Sequence, residues 1–313
     1  MRKYDRNALF NIALKALLFV AVFAGTFCIL RFALNLGIVI SLASSAIAAF
    51  GAVLLFSCLL RYTGFYFRYY SFVSRLLFRS KSGKVYCPCC GKHFDSFKDE
   101  RFYEDKERFN PAVFSSSRQD VICDFCRSAP RHRIIATWAE ENIELLKNSK
   151  ILYFAPELSM MLWFKRNGIR VRTADLYEKR ADLKLDITAL NLPSESEDII
   201  FCNHVLEHVS DHNAALSEMH RVLRKGGILV ISFPIDDALE HMREDIDASA
   251  QDRLKLFGQN DHIRLFGNDS QKMLMDAGFE VEVMNTNNMP VEIVPVTGPA
   301  DYDTNIIFCC TKK

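Results

Sequence analysis

Charge is almost missing from the first fifth of this 313-residue chain: between residues 8 and 60 only Lys15 and Arg31 carry any. Residues 8–30 are apolar in the main, with Asn11 and Lys15 the marked exceptions, and residues 32–60 hold no charge. A membrane span needs about 20 apolar residues, so each run is long enough. Arg31, close to Asn35, marks a tight turn between them. A second long apolar run argues against a cleavable signal peptide. Two helices apolar on every face would need a very large soluble core, which argues against a buried hairpin. A single span remains the alternative to two.

Acidic residues are also missing, from Arg61 until Asp95. In that stretch Tyr62, Phe65, Tyr66, Phe67, Tyr69, Tyr70, Phe72 and Phe78 interleave with Arg61, Arg68 and Arg75. Aromatics at headgroup level with cations reaching anionic lipid predict an interfacial helix, a linker helix being the alternative. Arg2, Lys3 and Arg6 precede the first run, and Arg61, Arg68, Arg75, Arg79, Lys81 and Lys84 follow the second. The positive-inside rule then places both termini and the rest of the chain in the cytoplasm, with membrane lipids as partners. Over the whole chain no charge of one sign dominates: the formal net charge is +1. A duplex-binding domain usually carries a basic excess, so the charge argues against nucleic acid as a partner.

Cysteine is not scarce, but it is unevenly placed. Of ten cysteines, five fall between Cys87 and Cys126. Cys87-Pro-Cys-Cys90-Gly and Cys123-Asp-Phe-Cys126 are two C-x-x-C pairs with residues 91–122 between them. Such pairs form tight knuckles, and four thiolates make a closed tetrahedral Zn²⁺ site. Gly91 supplies the positive φ that a knuckle turn often needs. Cys89 reads as a spectator and His93 as a lesser alternative ligand. A redox dithiol is disfavoured by two matched pairs in one short window. A closed four-sulfur site leaves no position for water, so its role is structural and not catalytic.

From Lys150 onward, short β-rich runs alternate with amphipathic helices. Strands are expected over 151–154, over 169–173 ending at Asp175, over 198–202 and over 228–233. Helices are expected over 160–166, ending near Gly168, and over 212–223, closed by Lys225-Gly-Gly227. This alternation predicts a Rossmann-like, doubly wound α/β fold with a mainly parallel sheet. The expected organisation is a transmembrane hairpin over 1–61, an interfacial linker over 62–84, a four-cysteine zinc module over 85–133 and an enzyme domain over 134–313.

The order Asp175-Leu, Asp186-Ile-Thr-Ala-Leu-Asn-Leu-Pro, Asp198-Ile-Ile-Phe-Cys-Asn-His-Val-Leu-Glu-His-Val and Glu218-Met-His-Arg-Val-Leu-Arg-Lys-Gly-Gly-Ile-Leu resembles the class I S-adenosylmethionine-dependent methyltransferases of the type 11 kind. Asp261-His-Ile-Arg-Leu-Phe-Gly267 and Asp276-Ala-Gly-Phe279 resemble a later region of such enzymes. The cysteine module followed by Arg131-His-Arg133 and Phe154-Ala-Pro-Glu157 resembles one subgroup. The resemblance implies S-adenosylmethionine as cofactor. It gives Asp175 to the ribose hydroxyls, Asp186 and the backbone of Ile187 to adenine, and Asn203 and His204 to the methionine end.

Glycine is missing where that family usually has a G-x-G-x-G turn; here the chain reads Ala155-Pro-Glu-Leu-Ser159. Ala155 is small enough to replace the first glycine, and Glu157 could meet the cofactor's ammonium. His204, His208 and His262 are candidate bases, with Arg264 a candidate anchor for an anionic acceptor. The methyl acceptor is a lipid-linked sugar, a lipid or a protein. The alternatives are an inactive scaffold of the same fold and an RNA methyltransferase using the zinc knuckle.

Overall fold

The computed structural model describes residues 6–29, 38–62, 83–100, 107, 110, 118–285, 289–294 and 306–313. The chain divides into two compact units, residues 1–79 and 80–313.

The first unit holds helices α1 (Arg6–Cys28) and α2 (Ile38–Tyr62), which pack on each other. They occupy the two apolar runs. Among the described residues, however, no helix is long and apolar enough to cross a membrane. The membrane-crossing hairpin expected from the sequence is thus not supported by them. The turn at Arg31 and Asn35 lies outside the described residues, as does the interfacial segment expected over 62–84 except at its ends.

The second unit opens with two antiparallel pairs, β1 (Val85–Cys87) with β2 (Lys92–Phe94) and β3 (Lys98–Glu100) with β4 (Arg118–Ile122). Helix α3 (Pro130–Glu141) follows, with Pro130 in its first turn, where the fixed φ and missing N–H suit a helix start. Its Ile134, Ile135, Trp138 and Ala139 are buried. A short helix, α4 (Ile143–Lys147), leads to β5 (Ile151–Phe154), buried along its whole length.

Then come α5 (Leu158–Arg166), β6 (Arg172–Asp175), β7 (Leu183–Lys184), β8 (Glu197–Asn203), α6 (His212–Val222) and β9 (Leu223–Ser232). The C-terminal part adds β10 (Arg243–Glu244), α7 (Ala250–Phe257), β11 (Arg264–Leu265), α8 (Ser270–Asp276), β12 (Phe279–Met284) and β13 (Ile307–Lys312). Seven strands form one sheet in the order β12-β13-β9-β8-β5-β6-β7. The strands β7, β6, β5, β8 and β9 run parallel, and β13 is antiparallel to both β9 and β12. The strand order reverses between β5 and β8, so their carboxyl ends border the crevice where such sheets bind ligands. Leu152, Phe154, Ile200, Leu216, Met219 and Phe233 belong to one buried cluster. Tyr153, Phe164, Trp163 and Phe201 pack edge-on among themselves, at ring distances that suit aromatic pairs.

Two boundaries differ from the expectation by more than two residues. The second strand begins at Arg172, not 169, because Ile169 donates its N–H to Phe164 O (2.9 Å) and thereby closes α5. The last parallel strand begins at Leu223, not 228. It runs through Gly226, at φ +69°, while its pairing jumps from Glu197↔Leu223 to Ile199↔Ile228. The Gly-Gly pair is therefore a bulge within a strand, not a turn before one.

Candidate functional site

Ala155 sits immediately past β5, donating its N–H to Ala174 O of β6 (2.9 Å). Its φ is +46°, a left-handed conformation that favours glycine. The chain thus keeps the turn geometry of a glycine while carrying a methyl. The left-handed penalty of about 1–2 kcal/mol, less the extra chain entropy of glycine of roughly 0.5–1 kcal/mol, sets the expected gain. Ala155→Gly should stabilise the fold by about 0.5–1 kcal/mol, measured by urea unfolding. Loss of stability would mean that the methyl packs more usefully than the strain suggests.

Glu157 caps α5 in extended conformation. Its Oε1 lies 2.9 Å from Arg131 Nη2 and 2.6 Å from His132 Nε2. His132 Nδ1 accepts the N–H of Ala129 (2.8 Å). Burial alone would raise the Glu157 carboxyl; the charges of His132 and Arg131 overcome it and hold the group well below the usual carboxylate range. The sequence expectation gave Glu157 to an incoming ammonium. The structure instead places Arg131 and His132 on that carboxylate first.

Asn203 and His204 end β8 beside them. Asn203 is buried, its Oδ1 accepting from Ser232 (3.0 Å), and its Nδ2 has no partner among the described residues. His204, at φ +52°, points Nδ1 at Glu207 Oε1, 3.0 Å away. Burial lowers the His204 imidazole, and Arg131's charge adds to this against the pull of Glu207. Glu207 is wholly buried. Burial works against its charge, but His204 and the other histidines facing it hold it down at about 2.

Asp175 closes β6, and its Oδ1 accepts the N–H groups of Tyr177 (2.7 Å) and Glu178 (2.8 Å). Asp186 is exposed in the turn after β7, its Oδ1 accepting from the Thr188 backbone and hydroxyl, and Ile187 beside it is buried. The structure thus gathers Ala155, Glu157, Asn203 and His204 at the reversal of strand order, with Asp175 at the next strand end. His208 and His262 form a separate pair, ring centres 4.8 Å apart. Burial, its largest influence, lowers the His262 imidazole to about 4.

Arg264 is not an acceptor anchor. It is wholly buried, and its guanidinium is taken up by Glu244 and by the carbonyls of Leu206, Val209 and Ser210. Arg131, His132 and Glu207 were not assigned to the site from the sequence. Glu207 had a signal, a carboxylate after two apolar residues in a strand-end motif; the signal for the other two was the subgroup resemblance of Arg131-His-Arg133 and Phe154-Ala-Pro-Glu157. A cleft of about 620 Å³ bordered by α6 and α8 includes none of the expected site residues.

The four cysteines of the two pairs come together in the module. The Sγ atoms of Cys87, Cys90, Cys123 and Cys126 all lie within 4.8 Å of one another. Cys87 and Cys126 are 3.6 Å apart, and Cys90 and Cys123 3.9 Å. Thiolates about 2.3 Å from a tetrahedral zinc would stand about 3.8 Å apart, so the donor set fits such an ion. Each knuckle closes with a backbone bond, Gly91 to Cys87 O (2.8 Å) and Arg127 to Cys123 O (3.0 Å), and both closing residues have positive φ. Cys89 is the spectator, near His132 O, and His93 stands apart from the cluster against Tyr86. Burial works against every thiolate; at Cys87 and Cys126 hydrogen bonds from neighbouring thiols outweigh it, and at Cys90 and Cys123 they do not.

Comparison with known proteins places this geometry. Residues 160–231 match the family described as "Methyltransferase domain". A malonyl-[acyl-carrier protein] O-methyltransferase of Yersinia pestis is 42% identical over 57 residues, 18% of this chain and 21% of that protein. A trans-aconitate 2-methyltransferase of Agrobacterium fabrum is 31% identical over 131 residues, 38% of this chain and 50% of that protein. The chain thus spans half or less of the length of the curated relatives it matches. Among solved structures, the Burkholderia thailandensis 1,6-didemethyltoxoflavin-N1-methyltransferase with bound S-adenosylhomocysteine is 16% identical. That likeness covers 57% of this chain and 78% of that one, with a TM-score of 0.41. The segment that matches a methyltransferase domain runs from α5 through β9, on the parallel strands of a Rossmann-like seven-stranded sheet.

Proposed function

We propose that the chain transfers a methyl group from S-adenosylmethionine to an acceptor at a membrane surface: a lipid-linked sugar, a lipid or a protein. The observation that carries this reading is the meeting of Ala155, Glu157, Asn203 and His204 at the carboxyl ends of β5 and β8, inside and beside the matched segment. The cofactor supplies an electrophilic methyl on a sulfonium. Arg131 and Glu157, 2.9 Å apart, offer a cation and an anion to the carboxylate and ammonium of its methionine end. The unspent Nδ2 donor of Asn203 lies at the neighbouring strand end. Asp175 would accept from ribose, and Asp186 with the Ile187 backbone from adenine. Methyl transfer gains much of its rate from in-line positioning.

Asp175 tests this reading. Hydrogen bonds to a charged group contribute roughly 1.5–3 kcal/mol each, and ~1.4 kcal/mol is tenfold in affinity. Asp175→Ala should weaken S-adenosylmethionine binding at least about tenfold in calorimetry, with Asp175→Asn losing less and circular dichroism unchanged in both. No binding by the folded wild type at millimolar ligand would reject the enzyme in favour of a scaffold with the same fold.

The thiolate cluster is proposed to hold one structural Zn²⁺. For the first unit, membrane lipid is the proposed contact. Val20, Ile47, Phe50 and Leu55 are each 60–74% exposed on α1 and α2, and large exposed apolar patches mark interaction surfaces. Basic residues on both flanks favour cytoplasmic ends. Cysteines introduced near Asp5 and Asp95 should be labelled only from the cytoplasmic side of intact cells; labelling of either from outside refutes the topology.

A further inference from the structure

Just past β8, the chain brings together three potential metal ligands that the cofactor pocket does not use. One ligand atom each from Glu207, His208 and His262 lies within 4.8 Å of the others. Glu207 and His262 are 0% and 1% exposed. Glu207 Oε2 and His262 Nδ1 have no hydrogen-bond partner among the described residues. A buried carboxylate oxygen and a buried ring nitrogen without partners are unfavourable unless something else satisfies them. His208 is oriented as a ligand would be. Its Nδ1 lies 3.0 Å from Asp261 O, which only accepts, so Nδ1 carries the proton and the Nε2 lone pair is available. Ligating histidines characteristically donate their other N–H to such a carbonyl. His204 Nδ1 stands 3.0 Å from Glu207 Oε1, an oxygen that likewise has no hydrogen-bond partner among the described residues. The backbone fixes the two loops together, Ile263 donating to Glu207 O (2.9 Å).

We infer that Glu207, His208 and His262 bind a divalent transition-metal cation whose remaining positions receive an oxygen of the methyl acceptor. Two imidazoles and one carboxylate suit Mn²⁺, Fe²⁺, Co²⁺ or Zn²⁺, and three protein ligands leave positions open. This set is chemically distinct from the four thiolates. The metal binding stands by itself; only the role of the acceptor rests on the methyltransferase reading. A hydroxyl bound there becomes a stronger acid. Its proton leaves to solvent, the methyl passes from sulfur to that oxygen as the C–S bond breaks, and S-adenosylhomocysteine departs.

The experiment uses the full chain with its thiolate site first saturated with Zn²⁺ and without S-adenosylmethionine. Mn²⁺ is titrated and the free ion followed by electron paramagnetic resonance, with Co²⁺ absorption as a second probe. One further ion per chain is expected. Glu207→Gln and His262→Ala should weaken it by more than the 10–100-fold typical of losing an outer partner. His208→Ala, at a 37% exposed side chain, reads the same loss should the buried variants fail to fold. Asp175→Ala should keep Mn²⁺ while losing S-adenosylmethionine, which separates this inference from the enzyme reading. It is overturned if neither Mn²⁺ nor Co²⁺ binds beyond the thiolates, or if binding is indifferent to His208→Ala.

Discussion

Cys123→Ser should abolish zinc binding at the thiolate cluster and disorder the segment from β1 to the start of α3, lowering the stability of the second unit by several kcal/mol. Structural zinc in small modules contributes about 10–16 kcal/mol of apparent binding free energy, and the elements among the described residues of the segment are short. Its strands span three to five residues, and one small apolar cluster consists of Val121, Ile122 and Ala129. Arg133 ties the module to α3. It is wholly buried, its Nη1 donating to Val121 O (2.8 Å) and Ser128 O (2.9 Å), its Nε donating to Ile293 O (2.6 Å), and its guanidinium lying 3.9 Å over the Phe97 ring. Arg166 adds a bond to Pro88 O (2.8 Å). Immediately before Arg133, Arg131 and His132 stand at Glu157. Loss of the knuckle should therefore also weaken S-adenosylmethionine binding, although no cysteine of the cluster stands among the cofactor residues. Elemental analysis, urea unfolding and calorimetry read the three effects. Unchanged zinc content in Cys123→Ser would sink the four-thiolate site, and full folding of metal-free protein would sink its structural role.

That coupling also marks where the sequence could be read and where it could not. Strands β5 and β8 were legible because their centres, residues 151–154 and 199–202, are buried apolar runs, and the parallel order follows from their alternation with helices. β12 and β13 were not. Ile307–Lys312 is a short apolar run that inserts between β12 and β9, and its partners on β9, Ile228 to Ile231, lie some 80 residues upstream; no local pattern announces such pairing. The start of β9 was hidden by Gly226-Gly227, which reads locally as a turn and acts as a bulge. In the site, Asp175, Asn203 and His204 could be placed by their motifs at strand ends. The Arg131–Glu157 pair spans 26 residues of sequence, and the nearness of His208 to His262 spans more. Both depend on how α3 and the β11 loop dock, which neither periodicity nor spacing encodes. The change from glycine to Ala155 was legible as a departure; that the backbone keeps a left-handed turn there needed the fold.

Arg264→Ala is expected to destabilise the domain by about 3–5 kcal/mol, the range for removing one partner of a buried ion pair. The guanidinium, 0% exposed, donates to Glu244 Oε2 through Nε (2.6 Å) and Nη2 (2.5 Å), to Ser210 O (3.1 Å), and to the carbonyls of Leu206 and Val209. Its removal strands three carbonyls and a partly buried carboxylate at once. Arg264→Lys should recover little, because one ammonium cannot span a planar fork reaching four groups. Glu244→Gln should be milder, since an amide oxygen still accepts and the loop carbonyls keep their donor. The loop so held, residues 206–210, carries Glu207 and His208 and is clasped by Ile263 next to His262. Arg264→Ala should therefore impair methyl transfer more than S-adenosylmethionine binding, whose proposed contacts lie on α3, at the start of α5, at the ends of β5, β6 and β8, and after β7. Urea midpoints at constant m-value give the stability change. A loss under about 1 kcal/mol would show that the loop is held by its own packing, and an equal fall in transfer and cofactor binding would show that Arg264 supports the whole crevice and not the acceptor side alone.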